Sequence, residues 1–412
     1  MNRIQVFEHS FLAIDDGKFE QRHFIALSKL NELHNYQYFD LKHNGVVFKQ
    51  YVGVIQIDGL TIEILPKVDI NEADSEDSKN KWQSVLIEML RVTRKLKIQQ
   101  VGQANVTKQS IHLLDIYFEW FLNEVQLLIH QGLIKQYYKE TGNVKALKGK
   151  LEFAGHIQKN LVHKERFYTT HQVYDKDHLI HQVLCQALDI IATLSKGNYL
   201  YSKCKTVQLN FPEVKSIKAN ENTFNKIPKS RKTAPYESAL AIARLIILNY
   251  APNISSGSEK MLALLFDMNS LWEEYVLVRL KQACQAKDIK VYGQNSKGFW
   301  NGINIRPDIV LEKQNDDKSK DVLIIDTKWK NIDQSQPSTH DLRQMYVYND
   351  YWNSTRSVLL YPSTSNNLNQ FISFEKIRDS QHHQCSLGKI SIFNDENKLD
   401  INIGETILAL MK

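Results

Sequence analysis

The sequence has no apolar run approaching the roughly 18 residues that a membrane-spanning helix requires. Its first twenty residues, MNRIQVFEHSFLAIDDGKFE, hold no uninterrupted apolar stretch, which excludes a secretory signal. Together these absences point to a cytoplasmic protein with no membrane partner. Cysteine is scarce: Cys185, Cys204, Cys284 and Cys385 are widely spaced, with no C-x-x-C pair, and a disulfide scaffold is not expected in a chain of 412 residues. HHQC, His382 to Cys385, gathers metal-binding residue types, but a tetrahedral site needs a second cluster and none is present. H-E-x-x-H is also missing, so His156, His163, His171, His178 and His181 read as structural or surface residues. A phosphate loop is absent too. In GNVKALKGKL the glycines Gly142 and Gly149 are too far apart, and Leu151 stands where Ser or Thr is required. The chain therefore has no nucleotide-hydrolysing site of its own. No internal repeat or low-complexity segment stands out.

What is present is an ordinary globular composition, 42% hydrophobic and 24% charged, long enough for two or three domains. The net charge of +6 tolerates a polyanionic partner without requiring one. The fold class is α/β in several domains. Residues 1–105 read as β-rich: NGVVFKQYVGVIQIDGLTIEILPKVD gives strands broken at Gly53 and at the turn Asp58-Gly59, stopped by Pro66. INEADSEDSKN reads as a solvated loop, and a helical pattern starts at Trp82. Residues 106–255 read as mainly helical, with Leu113, Ile116, Tyr117, Trp120 and Phe121 forming a core stripe. A basic loop with Lys229, Arg231 and Lys232 precedes the last of these helices and reads as solvated. Residues 256–412 give a helix over EKMLALLFDMNSLWEEYVLVRLKQACQAK. Strand-like IKVYG, IRPDIVLE and DVLIIDTKWK, the helix HDLRQMYVYNDYW and the strand SVLLYP follow. That order describes a mixed sheet flanked by helices.

The stretch RPDIVLEKQNDDKSKDVLIIDTKWK, Arg306 to Lys330, carries the chemistry. Strand alternation sends Asp326 and Lys328 to one side and Thr327 to the other. Asp308 comes level with Asp326 if the two strands pair as a hairpin. Two carboxylates and a lysine at one place suit phosphodiester hydrolysis. The carboxylates are hard oxygen ligands for Mg²⁺, with Mn²⁺ as a substitute, and the lysine can orient or deprotonate a water or stabilise developing charge. An Asp–Lys ion pair of purely structural role is the competing reading; the RPD strand, the apolar lead-in and the following helix weigh against it.

Asp308 in RPD with Asp326 and Lys328 in DTK resembles the P-D…(D/E)-x-K signature of the restriction-endonuclease-like nuclease fold. QMYVY, with Gln344 and Tyr348 on one helix face, resembles the Q-x-x-x-Y element that follows the active-site strands in such nucleases. YVGVIQIDGLTIEILPKV, FDMNSLWEEYVL, RPDIV, DTKWK, QMYVY and LLYP stand in the order of the McrC family, the nuclease subunits of modified-cytosine restriction systems.

The resemblance implies a restriction-endonuclease-like domain at 256–412 and a partner-docking domain at 1–105. It implies a separate McrB-like AAA+ GTPase ring as partner, which the chain stimulates, and Mg²⁺-dependent cleavage of double-stranded DNA containing modified cytosine. It makes Asp308 and Asp326 metal ligands and Lys328 the catalytic lysine. Gln344 supports the site or contacts DNA. Glu273, in LWEE, becomes the acidic residue of the domain's first helix. Two other readings of that stretch stand beside it: Ser270 and Glu273 form a capping box, or Glu274 takes the role. Lys49 and Lys67 are candidates for contacts to the ring. Two further functions stay open, a non-catalytic adaptor with a vestigial nuclease domain and a stand-alone repair nuclease of the same fold.

Overall fold

The structure, a computed structural model, describes residues 2–57, 59–68, 74–95, 112–252, 260–314, 319–330, 337–375 and 382–410. The chain forms two units. One comprises Met1–Ile98, Ile254–Glu259 and Leu265–Lys412, the other Gln99–Asn253 and Lys260–Leu264.

In the first unit, Tyr51–Ile57 pairs antiparallel with Leu60–Leu65, which pairs in parallel with Asn2–Phe7. Leu65 ends its strand directly before Pro66, as the sequence suggests, because proline lacks the N–H the ladder needs. Gly53, in contrast, lies inside a strand; the break falls at Lys49 and Gln50, after Gly45–Phe48. Of the acidic stretch read as a loop, residues 76–80 belong to a helix instead, while 70–73 lie outside the described residues. Ser75 accepts from the Ser78 N–H, and Glu76 and Asp77 sit favourably in the first turn of Glu76–Val92.

The C-terminal part holds a mixed sheet. Its strands run in the order Ile289–Gly293, Ile309–Gln314, Lys320–Thr327, Arg356–Ser363 and Gln384–Ser391. The first three are antiparallel neighbours, whereas Lys320–Thr327, Arg356–Ser363 and Gln384–Ser391 run in parallel. The helix Thr339–Trp352 buries Met345, Tyr348 and Trp352 against Val310, Val322, Ile324 and Leu359. The helical reading of EKMLALLFDMNSLW is corrected at its start. Lys260–Asp267 is a strand and Met268–Ala283 the helix, capped by Asp267, whose side chain accepts from the Ser270 N–H at 2.9 Å. MLALLF is apolar without a polar face, a pattern that fits a buried strand as well as a helix.

Residues 1–105 and 256–412, read as separate domains, fall mostly into one unit. Long-range contacts account for this. Trp329 Nε1 donates to Glu8 Oε1 at 2.7 Å, Lys95 pairs with Glu274 at 2.8 Å, and the Trp82 and Phe393 rings meet edge to face. None of these contacts follows from local periodicity.

Glu8 gives a measurable consequence. It is fully buried, and burial lifts its pKa to about 7 despite hydrogen bonds from Trp329 and from the Lys67 N–H. The folded protein thus retains a proton that the unfolded chain releases near the ordinary value of 4.5. The stability tied to this proton is complete below that value and is lost as pH rises through 7, by about 3 kcal/mol in all. Glu8→Gln keeps an acceptor for Trp329 and is expected to flatten this part of the curve. Urea unfolding at pH 5 and pH 8 measures it; equal pH dependence in both proteins would refute the assignment.

The second unit packs the helices Leu113–Gln131, Leu179–Leu194, Tyr199–Asn210 and Glu237–Leu248 together. It also contains an antiparallel sheet of Gln136–Val144, Lys150–Leu151 and Phe167–Asp175, which the mainly helical reading lacks. Its histidines are structural where buried. His178 meets the Ile134 carbonyl, and His181 bridges the Lys176 carbonyl and the Tyr236 hydroxyl. Lys229, Arg231 and Lys232 are exposed. All four cysteines are free thiols, and among the described residues no helix is long and apolar enough to cross a membrane.

Candidate active site

The antiparallel register of Ile309–Gln314 and Lys320–Thr327 pairs Ile309 with Ile325. One step further, Asp308 comes level with Asp326, as the hairpin reading requires. Asp308 Oδ2 accepts from the Thr327 backbone N–H at 2.7 Å and from its hydroxyl at 2.9 Å, which clamps the ends of the two strands together. Thr327 thus has a role the sequence did not suggest. The ladder continues past it, since the Lys328 N–H donates to the Leu360 carbonyl, and this aims the lysine side chain back along the face that carries Asp326. Lys328 Nζ lies 2.6 Å from Asp326 Oδ2. These contacts use one oxygen of each aspartate and leave the second outside them.

A further acid, Asp341, is not among the residues the sequence points to. It lies in the first turn of Thr339–Trp352, where the Ser338 hydroxyl accepts from its N–H, and its carboxylate stands 3.7 Å from Lys328 and 4.0 Å from Lys330. The sequence signal was S-x-x-D before a helix; the reach to Lys328 is tertiary.

Glu273 is half-buried on Met268–Ala283 and accepts from Gln294 Nε2 at 2.7 Å. Because Asp267 caps that helix, Ser270 does not, and the capping-box reading of Glu273 is set aside. Glu274 pairs instead with Lys95. Gln344 does not reach the carboxylates by any hydrogen bond among the described residues. It donates to the Tyr348 hydroxyl at 2.7 Å, which in turn donates to the Arg306 carbonyl at 2.9 Å. The Q-x-x-x-Y pair thus holds the backbone two residues ahead of Asp308. Trp329 joins the site to its supports: its N–H donates to Asn269, its indole packs on Trp272, and its Nε1 donates to Glu8.

Burial dominates the electrostatics. It raises the pKa of Asp308 against the two hydrogen bonds from Thr327. Burial, then the nearby Asp308 charge, raises Asp326 against the pull of Lys328. Burial and Asp308 push Glu273 up to about 7. Lys328 feels burial in the opposite sense, yet Asp326, followed by Asp341 and Asp308, holds its pKa above the ordinary lysine value. Crowded carboxylates of this kind are relieved by a divalent cation. Among the described residues no three His, Cys, Asp or Glu side chains form a metal cage. The pair Asp308 and Asp326 still fits Mg²⁺, which is commonly held by one or two carboxylates and completed by water and substrate phosphate. HHQC gives no such site: His383 is buried against Tyr346, 3.8 Å from Asp350, and Cys385 is a buried thiol.

Fold and site define a multi-domain α/β protein with a carboxylate–lysine centre at the ends of two strands of a mixed sheet. The chain belongs to the family of McrBC 5-methylcytosine restriction system components, whose model matches residues 46–362, and it is of the McrC type. It is 21% identical over 315 residues to the type IV methyl-directed restriction enzyme EcoKMcrBC of Escherichia coli K12, covering 72% of this chain and 86% of that protein. It also resembles a solved half-complex from the tetradecameric assembly of Thermococcus gammatolerans McrB AAA+ hexamers with bound McrC. That match has a TM-score of 0.70 and 16% identity, over 100% of this chain and 99% of that one, a likeness of fold.

Proposed function

We propose that this chain is the Mg²⁺-dependent DNA endonuclease subunit of a modification-dependent restriction complex. It would cut double-stranded DNA containing 5-methylcytosine when assembled with a McrB-like AAA+ GTPase ring, whose GTPase it stimulates. The observation that carries this reading is the level pair Asp308 and Asp326 with Lys328 between Asp326 and Asp341. Membership of the restriction family supports it. The fold shared with a chain solved among McrB AAA+ hexamers supports the partner, as does the missing phosphate loop. Docking by residues 1–105 belongs to the same proposal.

Asp308 and Asp326 would hold the cation, with Glu273 beside them as a third acid. When bound, Mg²⁺ neutralises charge on the scissile phosphate and activates a water. Lys328, kept as an ammonium by Asp326 and Asp341, supplies a fixed positive charge to the developing transition state rather than taking a proton. Thr327 and Tyr348 hold Asp308 and its lead-in in place.

The reading is tested by incubating methylated plasmid and Mg²⁺ with this chain, its AAA+ partner and GTP, omitting each in turn. Double-strand breaks are expected only when all are present. Breaks by the chain alone, without nucleotide, would point instead to a stand-alone nuclease.

A further inference from the structure

Between Gln294 and Asp308 the chain leaves the main sheet and forms a separate two-stranded hairpin, Lys297–Trp300 with Ile303–Ile305. Its turn is Asn301-Gly302. Both residues have positive φ, 37° and 84°, the backbone of a tight primed turn that Asn-Gly favours. The register shifts between Gly298 and Trp300, a bulge of the kind that re-aims side chains. Lys297 anchors the base: Nζ donates to the Tyr351 carbonyl at 2.7 Å and lies 4.8 Å from the Trp352 ring centre. Phe299 rests on Tyr351. Trp300, next to the turn, is 67% exposed.

The two ends of this hairpin are fastened at the candidate active site. The Gln294 N–H donates to the Asp308 carbonyl at 2.8 Å, and its side chain donates to Glu273. At the other end, Ile305 runs directly into Arg306, Pro307 and Asp308. From Ile289 to Pro307 the only charged residues are Lys290, Lys297 and Arg306, all basic. Arg306 is exposed and lies near enough to Glu273 and Asp308 to act on both electrostatically.

A hairpin that carries a solvent-facing indole near its tip, and whose flanks bring Gln294 and the exposed Arg306 to the candidate carboxylates, fits a polyanion with stackable rings. We infer that this hairpin is a DNA-engaging arm, in which Arg306 binds a phosphate close to the candidate centre and Trp300 packs against the duplex further along it. The inference rests on the endonuclease reading and adds the contact that seats the substrate. Gln294 gives the arm a further effect: an arm seated on DNA would hold Glu273 and the Asp308 backbone in their present positions.

The test uses the full-length chain and a fluorescein-labelled 40-base-pair duplex containing 5-methylcytosine, with Ca²⁺ replacing Mg²⁺ to prevent cleavage. Fluorescence polarisation of wild type, Trp300→Ala, Trp300→Phe and Asp326→Ala gives the affinities. Trp300→Ala is expected to weaken binding about tenfold, as loss of one base-stacking aromatic does, while Trp300→Phe retains most of it. Melting temperature should not move, because the ring lies in solvent. Wild-type affinity in Trp300→Ala would overturn the inference. If that variant instead lost co-elution with the AAA+ partner, the arm would be a protein-docking element. Either result leaves the endonuclease reading standing, because that reading is judged by Asp326→Ala in cleavage. A wild-type chain that binds no duplex would overturn the inference alone, since cleavage is expected only of the chain assembled with its AAA+ partner.

Discussion

Lys328→Met is expected to lose cleavage by about 10²- to 10³-fold and to melt a few degrees below wild type. The two losses have one cause. Lys328 stands 2.6 Å from the buried Asp326 and 3.7 Å from the buried Asp341, so methionine strips the nearest positive charge from both. Removing one member of a buried pair costs several kcal/mol when the other stays behind charged. Lys328 still reaches solvent, which places the expected cost at about 2 kcal/mol. Single-turnover cleavage and calorimetry read the two effects separately. A double-mutant cycle sharpens the result, because the stability cost should largely vanish in an Asp326→Ala background. An unchanged cost there would mean that Lys328 stabilises the fold through its packing instead.

Asp326→Ala is expected to lose cleavage by about 10³-fold while melting no lower than wild type at pH 8 without divalent cation. Asp326 is buried beside Asp308 and Asp341, and its charge is opposed by burial first and by Asp308 second. The fold thus holds three carboxylates in a small volume, an arrangement that costs stability without a cation and fits the proposed reaction. Functional sites commonly carry such strain at the expense of stability. A variant that melted lower would make Asp326 a structural ion-pair partner, the competing reading of D-x-K. Without divalent cation the same variant should bind DNA as wild type does, since the inferred contacts to the duplex lie on Trp300 and Arg306.

Much of this site was legible because its parts are local. RPD and DTK each end a strand with strong alternation, and a short polar connection makes antiparallel pairing the natural outcome, so the level placement of Asp308 and Asp326 follows from sequence alone. Gln344 and Tyr348 share a helix face by spacing, although their partner, the Arg306 carbonyl, does not follow from that spacing. What was missed is tertiary. Asp341 reaches Lys328 only because Thr339–Trp352 packs across the sheet. Glu8 meets Trp329 across 321 positions of sequence, and that contact is among those that tie residues read as two domains into one unit. Lys260–Asp267 reads as helix in the sequence for a different reason: an unbroken apolar run lacks the periodicity that separates strand from helix. The hairpin at Lys297–Ile305 carried a visible Asn-Gly turn signal, but its place beside Glu273 depends on Gln294.

The most direct measurement is cleavage of a methylated plasmid with Mg²⁺ and GTP by this chain together with its AAA+ partner, wild type against Asp326→Ala. Nucleotide-dependent double-strand breaks that vanish in the variant, while complex formation persists, are the expected result. Equal cutting by both proteins would contradict the assignment of the centre to Asp326, and no cutting by either, on methylated as well as plain DNA, would make the chain an adaptor rather than a nuclease.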